Sequence, residues 1–273
     1  MTLWICTACG LEHEDTPVSP SRCVICDDER QYVPISGQGW TTAERLGQAG
    51  TAATVIDVEP RLHRMRVEPS VGIGHQSLLI QTGGGNLLWE PPGYIDPDAV
   101  AQVQRLGGLA AITGSHPHLM GAMVSWSHAF DNAPVYVAEA DKHWTRRPDP
   151  VIAHWSDEAT PLPGIRLVQC GGHFPGSSVL HWSGDEHDRG IILTGDTIFI
   201  GPDNKSVSTM RSYPNRIPLP ERAVRQILDR LEPLEYDRAY GSFGQVIDAG
   251  AKNLVKRSLE RYIAWVRGDV GDY

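Results

Sequence analysis

Two Cys-x2-Cys pairs constrain the start of this chain more tightly than any other feature constrains the rest. Cys6-Thr-Ala-Cys9-Gly10 is followed by Cys23-Val-Ile-Cys26, with thirteen residues between Cys9 and Cys23. Two thiolates on one tight turn can face the same ion, and Gly10 allows the positive φ that such a turn often needs. Two such turns facing each other make a closed tetrahedral four-sulfur site suited to zinc or iron. The intervening residues 11–22 are polar and hold two prolines, so metal binding must supply folding energy to this segment. No partner cofactor motif follows, which favours structural zinc over electron transfer through iron.

The full chain has 273 residues, 41% of them hydrophobic, enough for one large domain and a small one. Its formal net charge of −9 repels nucleic-acid phosphate, and no basic run offsets it. The densest positive stretch, residues 252–267, carries apolar residues at helical spacing and reads as one solvated helix face. No signal-peptide pattern and no 18-residue apolar run occur, so a cytoplasmic protein with no membrane partner is expected. Cysteines in a reducing compartment are seldom paired, which leaves metal as the explanation for four of the five. Cys170 stands alone in an apolar strand context and reads as a buried thiol.

From residue 39 the pattern is mixed α/β. Strands are expected at 61–67, 77–82 and 86–89, with a glycine turn at 83–85 between the last two. A helix over 96–106 starts at Asp96 or Asp98, and a short strand over 109–113 runs into Gly114-Ser115-His116-Pro117-His118. Further helices are expected over 119–130, 140–146, 219–231 and 251–266. Further strands are expected over 135–138, 165–170, 178–182 and 190–193, with a polar turn at 184–189. Strands in both halves with helices outside predict a layered α/β/β/α sandwich.

Three strand ends carry possible metal ligands in one order within about eighty residues. They are His116-Pro117-His118, then His173 in Gly172-His173-Phe174-Pro175-Gly176-Ser177, then Asp196 in Thr194-Gly195-Asp196-Thr197. Neighbouring glycines let the backbone turn so that these side chains converge. Three imidazoles and a carboxylate suit Zn²⁺, Fe²⁺ or Mn²⁺.

On these motifs, residues 39–273 resemble the metallo-β-lactamase fold superfamily, and residues 1–38 resemble a rubredoxin-like zinc ribbon. The resemblance implies a four-layer αββα sandwich preceded by the small ribbon. It assigns His116, His118 and His173 to the first metal site, and Asp196 to the carboxylate that bridges two metals in dinuclear members. Two departures bear on nuclearity. The family pattern HxHxDH reads here His116-Pro117-His118-Leu119-Met120-Gly121, and the last family histidine, in a Gly-His turn, has no counterpart in Tyr240-Gly241-Ser242-Phe243-Gly244. A thioether and a residue without a side chain cannot hold a second cation, so a single ion, zinc or iron, is expected in the main domain. The resemblance implies a hydrolase in which metal-bound hydroxide attacks an ester, thioester, lactone or similar bond of a small-molecule substrate, with Asp196 as the catalytic carboxylate. Two alternatives stand beside it: a degenerate binding protein docking a protein partner through its ribbon, and a mononuclear iron oxygenase of the persulfide dioxygenase type.

Arg211, Tyr213 and Asn215 lie in the loop 206–220, which reads first as a polar, Pro-rich surface loop, although in this fold such a loop is placed to roof the site. His75 and His128 read as structural histidines.

Overall fold

A computed structural model of the chain describes residues 1–184 and 189–271. Two β-sheets dominate it. In the first, seven strands run in the order Ile152–Trp155, Val135–Ala138, Ala111–Thr113, Gly85–Trp89, Ser77–Thr82, Leu62–Glu68 and Ala52–Glu59. In the second, six strands run Glu158–Ala159, Ile165–Gln169, Ser178–Trp182, Ile191–Leu193, Arg238–Tyr240 and Val246–Ile247.

Strand side chains alternate between faces, and here both faces are covered. Leu78, Ile80, Leu87 and Trp89 of the first sheet meet Ile165, Leu167, Leu180 and Leu193 of the second in one buried layer. Their sequence neighbours point the other way. Leu79 and Leu88 pack beneath the helices Pro97–Arg105 and Met123–His128, and Val179 and Ile192 beneath Glu221–Leu231 and Ala251–Arg267. Each large aliphatic side chain so buried stabilises the fold by about 1.5–3 kcal/mol. The result is the expected αββα sandwich. The C-terminal helix buries Ala251, Val255, Leu259 and Ile263, one residue per turn, and leaves its basic residues in solvent.

Some local expectations are corrected. The helix expected over 119–130 is confined to Met123–His128, after a separate 3-10 turn at Pro117–Leu119. Gly121, at φ +47, separates the two and cannot continue a helix. The helix expected over 140–146 is a 3-10 segment, Glu139–Trp144. The turn expected at 184–189 falls largely on residues outside the described ones.

The N-terminal segment forms a three-stranded sheet from Thr2–Cys6, Glu12–Thr16 and Trp40–Thr41. It shares its interior with the sandwich: Ile5, Ala8, Leu11 and Ile25 belong to the same buried cluster as Leu79, Leu88 and Trp126. Contact at the first cysteine turn is so close that a Cβ at Gly72 would lie 2.6 Å from the Cys9 carbonyl carbon. Glu12 extends the junction into polar chemistry. Its carboxylate, 2% exposed, accepts from the backbone N–H groups of Val124 (2.6 Å) and Ser125 (3.2 Å) and from Arg147 Nη1 (2.7 Å). The helix Met123–His128 has no side-chain cap of its own, so Glu12 supplies one from another part of the chain. Glu12→Ala strands Arg147 and two buried N–H groups. It should cost about 3 kcal/mol of global stability, read from urea unfolding of the metal-loaded protein.

Candidate metal centre

The three ligand-bearing segments leave the ends of central strands. His116 and His118 follow Ala111–Thr113 in the first sheet; His173 and Asp196 follow Ile165–Gln169 and Ile191–Leu193 in the second. Both sheets therefore contribute to one point at their shared edge. There the imidazole centroids of His116, His118 and His173 stand 4.9–5.2 Å apart in a near-equilateral triangle. One donor atom from each histidine and from Asp196 falls within 4.8 Å of all the others.

Hydrogen bonding behind the rings sets which nitrogens face inward. His173 Nδ1 lies 3.0 Å from the Arg211 carbonyl and 3.3 Å from that of Met210, so it must donate a proton, and its Nε2 carries the lone pair. That Nε2 is 3.4 Å from His118 Nδ1. Ser115 Oγ donates to Glu90 Oε1 at 2.5 Å and so accepts from His116 Nδ1 at 2.8 Å, which turns the His116 Nε2 lone pair toward the cluster. His116 Nε2, His118 Nε2 and Asp196 Oδ1 are all buried without a hydrogen-bond partner. His116 Nε2 and Asp196 Oδ1, orphaned within the four-residue donor set, are what a cation would satisfy.

Burial keeps the imidazoles neutral: it drives His116 and His118 well below the ordinary histidine value and His173 down to about 4. The same burial pushes Asp196 up to about 7 and Glu90 up to about 8. The histidines are thus ready ligands near neutral pH, while Asp196 is about half protonated there and an arriving cation displaces that proton.

A second donor set lies in the ribbon. Cys6 and Cys26 sulfurs are 3.4 Å apart, and Cys9 and Cys23 sulfurs 3.8 Å, with all five cysteines free of disulfides. Tetrahedral zinc with bonds of about 2.3 Å places its sulfurs about 3.8 Å apart, so the four fit a structural ion. Their crowding divides them. Burial pushes the Cys9 thiol well up, while thiol hydrogen bonds from Cys26 and Cys6 pull Cys23 down. His13 Nε2, 3.7 Å from Cys23 Sγ, lends further polar support. Cys170 is fully buried, with its thiol pushed up to about 12, and lies outside both clusters.

A sequence model of the metallo-beta-lactamase superfamily matches residues 71–242. The chain belongs to that superfamily. It is 42% identical over 265 residues to the uncharacterized protein YmaE of Bacillus subtilis (strain 168), covering 96% of both chains. Solved structures agree in fold. DIM-1 metallo-beta-lactamase superposes with a TM-score of 0.55 at 13% identity, over 81% of this chain and all of that one. A B3 metallo-beta-lactamase with an active-site glutamic acid gives 0.52 at 15% identity, over 88% of this chain and 99% of the other.

Two positions of the superfamily's two-ion pattern, Met120 and Gly121, carry no metal-ligating side chain here. Met120 is buried in the helix-side core, not in the cleft. A Cβ on Gly121 would lie 2.0 Å from the Pro91 carbonyl oxygen, so no side chain fits there. Among the described residues, only the four cysteines and the His116–His118–His173–Asp196 set cluster as possible ligands.

A cleft of about 420 Å³ opens over the cluster, with His118 and Asp196 in its lining. Of the three loop residues, Tyr213 lines the cleft, contrary to the surface-loop reading, and its hydroxyl donates to the Asp196 carbonyl at 3.0 Å. Arg211 and Asn215 instead tie the loop to the ribbon, through the Glu29 carboxylate (3.2 Å) and carbonyl (2.8 Å) respectively. His75 and His128 are structural as expected, bonded to the Glu90 carbonyl (3.1 Å) and Asp149 (3.0 Å).

Arg30 went unnoticed in the sequence. Its guanidinium grips Asp28 at 2.6 and 2.8 Å, donates to the His173 carbonyl at 3.1 Å and lies 3.6 Å from the Phe174 ring centroid. Glu90 was also missed, although a lone acid ending the apolar run Leu87-Leu88-Trp89 was a usable signal.

Two measurements follow from this geometry. Zinc titration should saturate at two ions per chain, and Gly121→His should lower stability without raising that number. Because Asp196 holds a proton below about pH 7, affinity at the histidine site should fall about tenfold per unit as pH drops from 7 to 5. Calorimetry in buffers of different ionisation enthalpy reads the released proton. A flat profile would show that Asp196 does not join the ion.

Proposed function

We propose that this metallo-beta-lactamase superfamily member is a metal-dependent hydrolase of small carbonyl substrates such as esters, thioesters or lactones. The observation that carries this reading is the buried triangle of neutral imidazoles with the orphaned Asp196 Oδ1 beside it, opening onto a cleft. A divalent cation held by His116, His118 and His173 supplies Lewis acidity toward a carbonyl and toward water.

The chain's own groups do the rest. The Met210 and Arg211 carbonyls and Ser115 Oγ hold two of the imidazoles in one tautomer, so their ligand directions are set beforehand. Asp196 Oδ2 lies 3.6 Å from His116 Nε2, close enough to the cluster to ligate the ion or to take a proton from water entering the cleft. Tyr213 fixes the Asp196 backbone and thereby the direction of that carboxylate. The four cysteines are assigned to a structural zinc that holds the ribbon against the cleft.

His116→Ala should abolish both metal retention at this site and turnover. Asp196→Asn should keep metal above pH 7 yet lose about 10²- to 10⁴-fold in kcat, because an amide cannot accept a proton. The assay is a panel of p-nitrophenyl ester, thioester and lactone substrates with zinc-loaded protein. An Asn variant as active as wild type removes Asp196 from the chemistry. No metal-dependent turnover on any substrate favours a binding protein, and oxygen uptake by an iron-loaded sample favours the oxygenase.

A further inference from the structure

The cleft walls select a kind of substrate. The lining combines Gln31 and Tyr32 of the ribbon with Ile73, Phe199, Tyr213 and Phe243 of the sandwich. Phe243 stands in the turn 240–244, where the superfamily pattern places a histidine.

Charge in the cleft is equally one-sided. Among the described residues, Arg30 is the only cationic side chain in the lining and Asp196 the only acid. Three of the five Arg30 N–H groups are already engaged. Asp28 takes its Nε and Nη2, the His173 carbonyl takes Nη1, and the side chain is 7% exposed. Drawing it away would strand the Asp28 carboxylate and release Phe174. Arg211, on the roofing loop, is turned outward to Glu29 and does not line the cleft. Away from the metal position, a carboxylate or phosphate entering here would lose its water against aromatic carbon, with only the paired, largely buried Arg30 guanidinium to replace that water.

We propose that this cleft takes an uncharged, mainly apolar carbonyl substrate, clamped between Tyr32 of the ribbon and Phe243 of the sandwich, and rejects anionic analogues of the same size. The choice of a carbonyl compound rests on the hydrolase reading; the choice of an uncharged, apolar one rests on the walls alone. About 420 Å³ accommodates a small aromatic or medium-chain acyl group.

The test uses full-length, zinc-loaded protein and two fluorescent probes with one aromatic skeleton. N-phenyl-1-naphthylamine is neutral, and 8-anilino-1-naphthalenesulfonate is its sulfonated anion. The neutral probe should bind at one site at least about tenfold more tightly than the anion. Phe243→Ala should weaken it about tenfold, since an aromatic ring leaves the contact. Tyr32→Ala, at a position 57% exposed, should weaken it too, without the folding risk of a change at the half-buried Phe243. Phe243→Arg should reverse the preference in favour of the anion. Turnover is read in parallel with p-nitrophenyl butyrate and its anionic analogue, mono-p-nitrophenyl succinate, and the neutral ester should win by about tenfold or more in kcat/KM. Anion binding as tight as neutral binding, or neutral binding insensitive to both Tyr32 and Phe243, overturns the proposal. The neutral probe bound selectively with no ester hydrolysed leaves the apolar selectivity standing and removes the hydrolase reading. Faster hydrolysis of the succinate does the reverse.

Discussion

Four polar side chains buried on one point are the constraint around which this molecule is arranged. His116, His118, His173 and Asp196 are each 6% exposed or less, and three of their donor atoms have no hydrogen-bond partner. Unpaired buried polar atoms are destabilising unless something satisfies them, and a cation satisfies them together. Burial itself prepares the ligands, because it holds the imidazoles neutral and leaves on Asp196 a proton that an ion displaces. Such a cluster can be held only by rigid supports. The strands Ala111–Thr113, Ile165–Gln169 and Ile191–Leu193 provide them, each buried on both faces between the inter-sheet layer and a helical layer.

The ribbon belongs to the same arrangement. Only three residues separate the ligand Cys26 from Arg30, which holds the His173 carbonyl and lies over Phe174. Gln31 and Tyr32 then form one wall of the cleft. On the other flank, Glu12 caps a helix that follows the His116–His118 segment. An ion bound by the four cysteines would thus fix the turn that positions part of the main site. The two candidate metal centres have separate donor sets and are joined through packing.

Much of this was legible in the sequence. The strands Ser77–Thr82, Val135–Ala138 and Ser178–Trp182 have the expected boundaries, because each is an apolar run bounded by turn-forming residues. All eight proposed ligands fall into the two expected clusters, because strand-end glycines and paired cysteine turns are local signals. What stayed hidden was long-range. The strand Ala52–Glu59 has exposed or half-exposed residues at most positions and no clear alternation, and it forms as an edge partner of Leu62–Glu68. Glu12 and Arg30 read as ordinary surface charges, since their partners lie 112 and 143 residues away. The helix over 119–130 was overextended because its apolar spacing continues through Gly121, whose positive φ only the packing against Pro91 explains.

The departures from the two-ion pattern act in one direction. Met120 has joined the hydrophobic core, Gly121 sits where no side chain fits, and the turn 240–244 presents Phe243 to the cleft. A position emptied by chance would leave a polar, hydrated gap, and its neighbours would still suit a cation. Here one position is filled by the core, one is sterically closed and one is aromatic. On the hydrolase reading proposed above, a single ion works without a partner to orient the attacking water or bind the far end of a substrate. That reading assigns the first task to Asp196, the only carboxylate in the lining among the described residues. It assigns the second to the walls, which bind by burying apolar surface.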